Sequence, residues 1–200
     1  HSAPLIAAGT CYGQLDCLLS DDYEKQLTNI SRYFNDADIH AIYSSPLFRC
    51  AQLATDLAKQ HVDNTVIYYD AFKEINFGLW EGKKWDDIGR EKIEQWNANR
   101  LLFQFPDGET PALFIQRVLK AYALLQTNNT AKQNKDKTII LITHAGVIRT
   151  ILADILALSF SETLNLSIDK ASISLISAKD NVQEVIFINH LPSKMANKKR

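Results

Sequence analysis

The order of apolar segments predicts an α/β fold, in which helices cover a mostly parallel sheet. A continuous apolar run over residues 138–143 has the composition of a buried strand. In the segment that follows, residues 146–158, apolar side chains recur at helical spacing. Strand and helix patterns alternate in the same way over most of the chain, and this alternation is typical of parallel sheets.

The first predicted helix begins at Asp21, and its apolar residues recur at i, i+4, i+7 and i+11: Tyr23, Leu27, Ile30 and Phe34. Shorter runs give the other elements. These are strands at 39–43, 66–69, 171–178 and 184–188, and helices at 47–60 and 110–126. The polar run at 127–137 predicts a surface connection between two of them.

Composition indicates one domain over residues 1–200. A chain of 200 residues with 46% hydrophobic content can bury a substantial core. Lys plus Arg (22) nearly balances Asp plus Glu (23), so no overall field attracts nucleic acid or an anionic membrane. No apolar run approaches the roughly 20 residues that a membrane-spanning helix needs. We therefore expect neither partner, while no pattern indicates the oligomeric state.

The cysteines indicate the redox compartment of the protein, and neither they nor the basic C-terminus indicates its function. Cys11, Cys17 and Cys50 are odd in number and form no CxxC pair, which argues against a disulfide framework and a zinc site. A reducing cytoplasm fits this pattern. The basic run at 198–200 is typical of a solvated tail.

Two candidate site residues follow predicted strands. His144 stands at the end of the 138–143 run, where open α/β sheets bind ligands, and the next helix would point its first N–H groups at an anion. Arg49 follows the 39–43 strand, with Ser45 as a predicted helix cap and Pro46 near the first helical position. A guanidinium suits phosphate recognition. Taken alone, His144 is equally consistent with a core histidine and Arg49 with a surface arginine.

Two loops add further candidates. The segment 74–82 holds two carboxylates, Glu74 and Glu81, beside Phe77 and Trp80. Aromatic packing that excludes water from a carboxyl raises its pKa and lets it donate a proton, but spacing does not choose between the two, and a turn anchored by aromatics is the alternative. The loop 9–16 holds two glycines and several polar side chains that could wrap a polar ligand.

Four segments occur in the order of one known family: HSAP at 1–4, SPLFR at 45–49, EINFGLWEG at 74–82 and THAG at 143–146. On these motifs the chain resembles the histidine phosphatase superfamily, whose phosphoglycerate-mutase-like fold is a three-layer α/β/α sandwich with a mostly parallel central sheet. The loop 9–16 (GTCYGQLD) is further similar to the branch of α-ribazole 5′-phosphate phosphatases. Residues 106–110 (PDGET) resemble the family's Pro-Gly-Gly-Glu-Ser segment.

The resemblance implies a phosphomonoesterase with a phosphohistidine intermediate. It makes His1 the nucleophile, Arg49 a phosphate ligand, Glu74 the proton donor and His144 the second histidine at the phosphate. It also implies contacts to substrate or phosphate from further residues: Cys11, Tyr12, Gly13, Gln14, Ala145 and Gly146. The implied substrate is a small phosphate monoester, α-ribazole 5′-phosphate or the cobalamin 5′-phosphate precursor in cobalamin biosynthesis, and no metal or cofactor is required.

Two departures from the family pattern concern the start of the chain. The arginine before the family's nucleophile is absent, since the sequence begins at His1, and Ser2 stands where the family has glycine. The short first strand that normally carries the nucleophile is absent too. We expect the natural protein to have about ten further residues that end in arginine, an estimate from strand length. Without the resemblance, His1 would be read as a frayed terminus.

Alternatives stay open within this class and outside it. A broad-specificity phosphatase or a phosphoglycerate mutase is the alternative enzyme, and a mutase would need added basic residues, for which Lys83 and Lys84 are candidates. A non-catalytic module that binds a phosphorylated ligand is the alternative of another class. The aromatic segment 85–105 would form a lid over a nucleoside-like base or pack into the core, and core packing is favoured.

Overall fold

Helices and strands alternate along the chain as the sequence predicts, in a computed structural model that describes residues 1–60, 65–130, 137–179 and 182–192. The helices are α1 (Tyr23–Tyr33), α2 (Phe48–Ala58), α3 (Arg90–Ala98), α4 (Pro111–Thr130), α5 (Ala145–Ile155) and α6 (Phe160–Thr163). The strands are β1 (Ile39–Ser44), β2 (Val66–Tyr68), β3 (Thr138–Ile142), β4 (Ile173–Lys179) and β5 (Val182–His190). Single 3₁₀ turns occupy Asp70–Phe72, Gly78–Trp80 and Trp85–Asp87.

The central sheet is parallel, with strand order β2-β1-β3. Ser44 at the end of β1 pairs in register with Tyr68 of β2 and with Ile142 of β3. The carboxyl ends of all three strands therefore lie at one edge of the sheet, which is where open α/β sheets bind ligands. The two final strands, β4 and β5, pair with each other antiparallel.

Helices cover both faces of the central sheet. On one face, Ile42 of β1 lies in an apolar cluster with Ile30 of α1 and Leu57 of α2. The next residue, Tyr43, points to the other face, where it packs with Val118 of α4 and Val147 of α5. Alternation of neighbouring side chains between two apolar layers is the signature of a strand buried on both sides. The predicted three-layer α/β/α arrangement is confirmed.

A third cluster of apolar side chains lies outside the sheet, and we call it the aromatic cluster: Trp80, Trp85, Trp96, Phe77, Phe103 and Phe105, with Cys11 and Ile88. Trp85 and Trp96 stack with ring centroids 5.8 Å apart and an interplanar angle of 16°. Phe105 at its centre is fully buried. The aromatic side chains of the segment 85–105 thus pack against one another, as the favoured alternative predicts, whereas Leu101 and Leu102 are exposed.

Several boundaries differ from the sequence-based expectation. The polar run predicted as a connection begins inside α4, where the Asn129 side-chain amide donates to the Leu125 carbonyl at 2.6 Å. Helix α2 begins at Phe48 with Leu47 at its N-cap, so the prediction of Ser45 as the cap is wrong. The short α6, which the sequence analysis missed, begins with a capping box between Ser159 and Glu162. Residues 131–136 and the basic run at 198–200 lie outside the described residues.

No helix within the described ranges is long and apolar enough to cross a membrane.

The two isoleucines Ile42 and Ile67, on neighbouring strands, test the layered core. Ile42 is fully buried between the layers, whereas Ile67 on β2 is 39% exposed. We expect Ile42→Ala to lower the free energy of unfolding by about 2 to 5 kcal/mol, because it leaves a cavity in a packed core. Ile67→Ala should cost clearly less. Urea unfolding of both variants measures the difference, and equal losses would contradict the packing described.

Candidate active site

Three predicted site residues lie at the carboxyl edge of the central sheet. His144 is at the N-cap of α5, two residues after β3, and Arg49 is in the first turn of α2, shortly after β1. Glu74 follows β2 and a 3₁₀ turn, and its carboxylate contacts the start of α5. Arg49 and His144 are both fully buried. The parallel topology therefore gathers side chains that are far apart in the sequence.

His1 lies beside this edge, held by its backbone. Its nitrogen donates to the Thr143 carbonyl at 3.0 Å, and its carbonyl accepts from the Ala171 N–H at 2.8 Å. The centroid of its ring is 5.0 Å from that of His144. The position is thus anchored on both sides, unlike a frayed terminus.

The His1 ring has a defined tautomer. Its Nδ1 lies 2.7 Å from the Ser2 carbonyl oxygen. A carbonyl oxygen only accepts hydrogen bonds, so Nδ1 must carry the hydrogen that is donated. In the neutral imidazole the lone pair then sits on Nε2. The ring atom of His1 with a free lone pair is therefore Nε2.

Arg49 is a buried cation without a carboxylate partner. Its guanidinium donates to the Gly13 carbonyl at 2.6 Å and to the Leu15 carbonyl at 3.1 Å, and it lies 5.3 Å from the centre of the Tyr12 ring. Its Nε is buried with no hydrogen-bond partner in the described part of the chain, and none of the ion pairs found there includes Arg49. A buried charge is costly unless it is paired, so this site calls for an anion.

His144 is a neutral histidine next to that cation. Its Nε2 lies 2.8 Å from the Ser45 hydroxyl and 3.5 Å from the Cys50 sulfur. Burial and then the Arg49 charge hold its pKa well below the ordinary histidine value. An anion bound between the two would favour the protonated imidazole and offset both effects. Ser45, expected as a helix cap, is thus a partner of His144.

Glu74 has the environment of a proton donor. Its Oε2 accepts from the Gly146 N–H at 3.0 Å and its Oε1 from the Ile75 N–H at 3.1 Å. Burial outweighs these bonds and raises the pKa of the carboxyl above its ordinary value. A carboxyl with a raised pKa stays protonated in a larger share of molecules near neutral pH.

Glu81, the other carboxylate of the 74–82 segment, has a different place. Its Oε1 accepts from the Gln14 N–H at 2.8 Å and from the Phe77 N–H at 3.0 Å. These bonds tie the loop 9–16 to the aromatic cluster. The structure therefore separates the two carboxylates that sequence spacing left open, with Glu74 at the sheet edge and Glu81 in the loop.

Gly146, predicted as a phosphate contact, directs its N–H to a protein group in this structure. The Gly146 N–H is already bonded to Glu74, because a buried carboxylate needs donors. A Cβ added at Gly146 would overlap the Glu74 carboxylate, so glycine permits the close approach. Ala145, its neighbour, does line the cleft beside His1.

Of the predicted contact residues in the loop 9–16, some line the cleft and others do not. Tyr12 lines the cleft, as predicted for a substrate contact. Cys11 does not: its side chain is buried in the aromatic cluster, where desolvation raises the pKa of the thiol to about 12. Its prediction as a substrate contact is corrected, because an apolar cluster was available for a small apolar side chain.

Gly13 and Gln14 form hydrogen bonds to Arg49 and Glu74. The Gly13 carbonyl accepts from Arg49, and a Cβ at this position would meet Glu81 and Phe77. The Gln14 side-chain amide donates to the Glu74 carbonyl at 2.9 Å. Both residues therefore position predicted site residues, and neither lies among the residues that line the cleft.

The cleft beside His1 has a volume of about 90 Å³. Besides His1, Tyr12 and Ala145, its walls include residues that the sequence analysis missed: Ile148, Ile168, Asp169, Lys170 and Ser172. Most of these belong to the turn before β4. This turn carries no sequence motif, and only the tertiary structure shows that it lies at the cleft. A space of this size suits a small ligand group.

Arg117 on α4 is a further residue that sequence reasoning missed. Two of its N–H groups donate to the Glu109 carboxylate, at 2.9 and 2.6 Å. The other three donate to the carbonyls of Ala71, Lys73 and Glu74 at 2.8 to 2.9 Å. All five donors of the guanidinium are thereby used. The only sequence signal was Glu109 in the 106–110 segment.

Removal of Arg117 should destabilise the protein. Arg117→Met removes the cation and two donors from the Glu109 carboxylate, which is 16% exposed. It also takes the Arg117 donors from three backbone carbonyls, of which, among the described residues, only that of Glu74 keeps another side-chain donor, Gln14. We expect a loss of about 3 kcal/mol in the free energy of unfolding, the low end for a broken buried pair. Arg90→Met is the matched control, because Arg90 is also paired with a glutamate but is 92% exposed. Thermal melts compare them, and equal effects would refute the role given to Arg117.

Known proteins resemble this chain in sequence and in fold. Phosphoserine phosphatase 1 of Hydrogenobacter thermophilus is 25% identical over 184 residues, 90% of this chain and 84% of that protein. A metal-independent phosphoserine phosphatase of Arabidopsis thaliana is 29% identical over 168 residues, 82% of this chain and 69% of that protein. The crystal structure of the α-ribazole phosphatase of Shigella flexneri has the same fold, with a TM-score of 0.78 at 21% identity over 93% of this chain and 92% of that one.

The family model described as histidine phosphatase superfamily (branch 1) matches residues 6–190. The chain therefore belongs to the histidine phosphatase superfamily (branch 1) and is a phosphoric monoester hydrolase.

Proposed function

We propose that this phosphatase transfers the phosphoryl group of a small monoester to His1 and then to water. The observation that carries the proposal is the fully buried guanidinium of Arg49, which has no carboxylate partner among the described residues. It lies near neutral His144, whose ring is 5.0 Å from that of His1. Only an anion completes this arrangement, and the nucleophilic histidine faces the same place. His1 precedes the residues matched by the family model, so its role rests on this geometry.

In the first half of the reaction, the His1 Nε2 lone pair attacks phosphorus in line with the ester oxygen. The phosphorus–oxygen bond breaks as the phosphorus–nitrogen bond forms, and the leaving alkoxide takes the proton of the Glu74 carboxyl. In the second half, the Glu74 carboxylate accepts a proton from water while the water oxygen attacks phosphorus. The phosphorus–nitrogen bond breaks and its electron pair returns to Nε2 of His1. The products are the alcohol and inorganic phosphate, and both His1 and Glu74 return to their starting forms.

Charge on the transferred group is supported throughout. A phosphoryl transition state is loose and spreads its charge over three equatorial oxygens. Arg49 retains three N–H donors beyond the two given to the 9–16 loop, and His144 becomes a cation once it gains a proton. Donors fixed in a buried site stabilise such charge strongly.

Two candidates for the leaving group follow from different observations. Similarity of the 9–16 loop to α-ribazole phosphatases supports α-ribazole 5′-phosphate. The two phosphoserine phosphatase relatives support a small polar substrate, and so does the position of Trp85 and Trp96, which pack in the aromatic cluster and are not among the residues that line the cleft. Lys83 and Lys84 do not line it either, so no described basic pair supports a mutase.

We also propose a single domain, a cytoplasmic setting and an upstream segment. A single domain over residues 1–200 is consistent with the continuous family match. A cytoplasmic setting is supported by the unpaired cysteines Cys11, Cys17 and Cys50. The upstream arginine and strand expected from the family pattern stay a prediction.

Replacing the nucleophile should abolish turnover. We expect His1→Ala to lower kcat for p-nitrophenyl phosphate by about 10³-fold or more, because the covalent route is lost. His190→Ala, at the end of β5, is the matched control and should retain wild-type kcat. If His1→Ala keeps normal turnover, the proposed mechanism fails. Wild-type protein that binds phosphate without turnover would instead favour the binding module.

Replacing the proton donor should affect substrates unequally. Glu74→Gln has no proton to give to an alkoxide, so it should lower kcat/KM for an alkyl phosphate by about 10² to 10⁴-fold. p-Nitrophenolate leaves without protonation, so its phosphate ester should lose much less. Steady-state kinetics with both esters measure the ratio, and Glu81→Gln is the control. Equal losses on both esters in Glu74→Gln would contradict a role as general acid.

A further inference from the structure

The turn before β4 forms one wall of the cleft and is held rigidly. The Asp169 N–H donates to the Asn189 side-chain oxygen at 2.6 Å, and the Asn189 amide donates back to the Asp169 carboxylate at 3.0 Å. The Ser172 hydroxyl donates to the Asp169 carbonyl at 2.8 Å. A turn fixed by side chains on both sides presents its residues at constant positions, as a selective site requires.

The same turn is tied directly to the nucleophile. The Ala171 N–H donates to the His1 carbonyl at 2.8 Å, and Ala171 adopts a left-handed conformation with φ of 60°. Ala171 is itself buried. The backbone of Lys170 therefore stands one residue from a hydrogen bond to His1.

Lys170 is a cation without a partner at the cleft. It is exposed and lines the cleft, and it makes no hydrogen bond or ion pair with any residue that the structure describes. The carboxylate next to it, on Asp169, is engaged by Asn189. An ammonium group has three donors and no acceptor, so the ligand group that completes it is an anion.

That anion is a second one, distinct from the transferred phosphoryl group. The phosphoryl group already has Arg49 and His144, which are buried at the sheet edge. Lys170 lies instead among the exposed residues that line the cleft, so a leaving group that occupies the cleft meets it. The cleft volume of about 90 Å³ leaves room for only a few atoms there.

We propose that Lys170 is a specificity-determining residue that binds the carboxylate of a small leaving group, so that this phosphatase prefers monoesters of hydroxy acids or hydroxy amino acids. The inference rests on the proposed phosphohistidine mechanism and names its substrate class. α-Ribazole 5′-phosphate has no carboxylate and would gain nothing from Lys170.

Three small phosphate esters test the proposal. 3-Phosphoglycerate and O-phosphoserine both carry a carboxylate and differ only in hydroxyl against ammonium, whereas phosphoethanolamine has the ammonium and lacks the carboxylate. We expect wild-type kcat/KM to be higher for both carboxylate esters. In Lys170→Met, the ratio of kcat/KM for 3-phosphoglycerate to that for phosphoethanolamine should fall by about tenfold or more, the effect of losing one charge-assisted hydrogen bond.

Controls separate charge from structure. Lys170→Arg keeps the charge and should retain most of the ratio, and Lys92→Met, on the exposed face of α3, should leave the wild-type ratio. An unchanged ratio in Lys170→Met would overturn the proposal, and so would a wild-type preference for phosphoethanolamine.

Failure of the proposed function would be visible separately, as absence of p-nitrophenyl phosphate hydrolysis by the wild type. Calorimetric binding still decides the inference in that case. Weaker binding of 3-phosphoglycerate, relative to phosphoethanolamine, in Lys170→Met than in the wild type would support it, and equal relative binding would overturn it.

Discussion

The buried charge of Arg49 is the constraint on which the rest of the site depends. A guanidinium with no exposed surface and no carboxylate partner among the described residues is stabilised only in part by the carbonyls of Gly13 and Leu15. Burial and then the Arg49 charge lower the pKa of His144, which favours the neutral ring as long as no anion is bound. The free site thus carries a positive charge without a counter-ion among the described residues, and in the proposed function a phosphate ester supplies that counter-charge.

Glu74 is held in place by hydrogen bonds from three different parts of the fold. Its carboxylate takes the first N–H of α5 beyond Ala145, and its carbonyl is held by both Gln14 and Arg117. The result is a carboxyl fixed at both ends, in a place that raises its pKa. Rigid support of this kind allows one group to give a proton in the first half of the reaction and to take one in the second.

The fold could be predicted because its signals are local, and Arg49 and His144 became site candidates because each follows a predicted strand. The 138–143 run and the helical spacing after it show a strand and a helix without knowledge of any partner. Parallel strands then bring Arg49 and His144 to one edge of the sheet. The two are far apart in the sequence, since Cys50, the residue after Arg49, already stands 94 positions before His144.

The rest depends on contacts that no local pattern encodes. Gly146 was expected to face phosphate and instead meets a carboxylate 72 residues away. Cys11 was assigned by similarity of its loop, yet its side chain turns into the aromatic cluster. Arg117 and the turn of Lys170 carry no recognisable motif by themselves. Their roles follow only from the partners that the tertiary fold provides.

The most direct test of this account is the identity of the covalent intermediate. Rapid quenching during turnover, followed by peptide mass spectrometry and ³¹P NMR at alkaline pH, locates the phosphoryl group and its nitrogen. The hydrogen bond from Nδ1 to the Ser2 carbonyl predicts a phosphoryl group on Nε2 of His1. A phosphoryl group on Nδ1 or on His144, or steady turnover with no phosphohistidine at any time, would contradict the account.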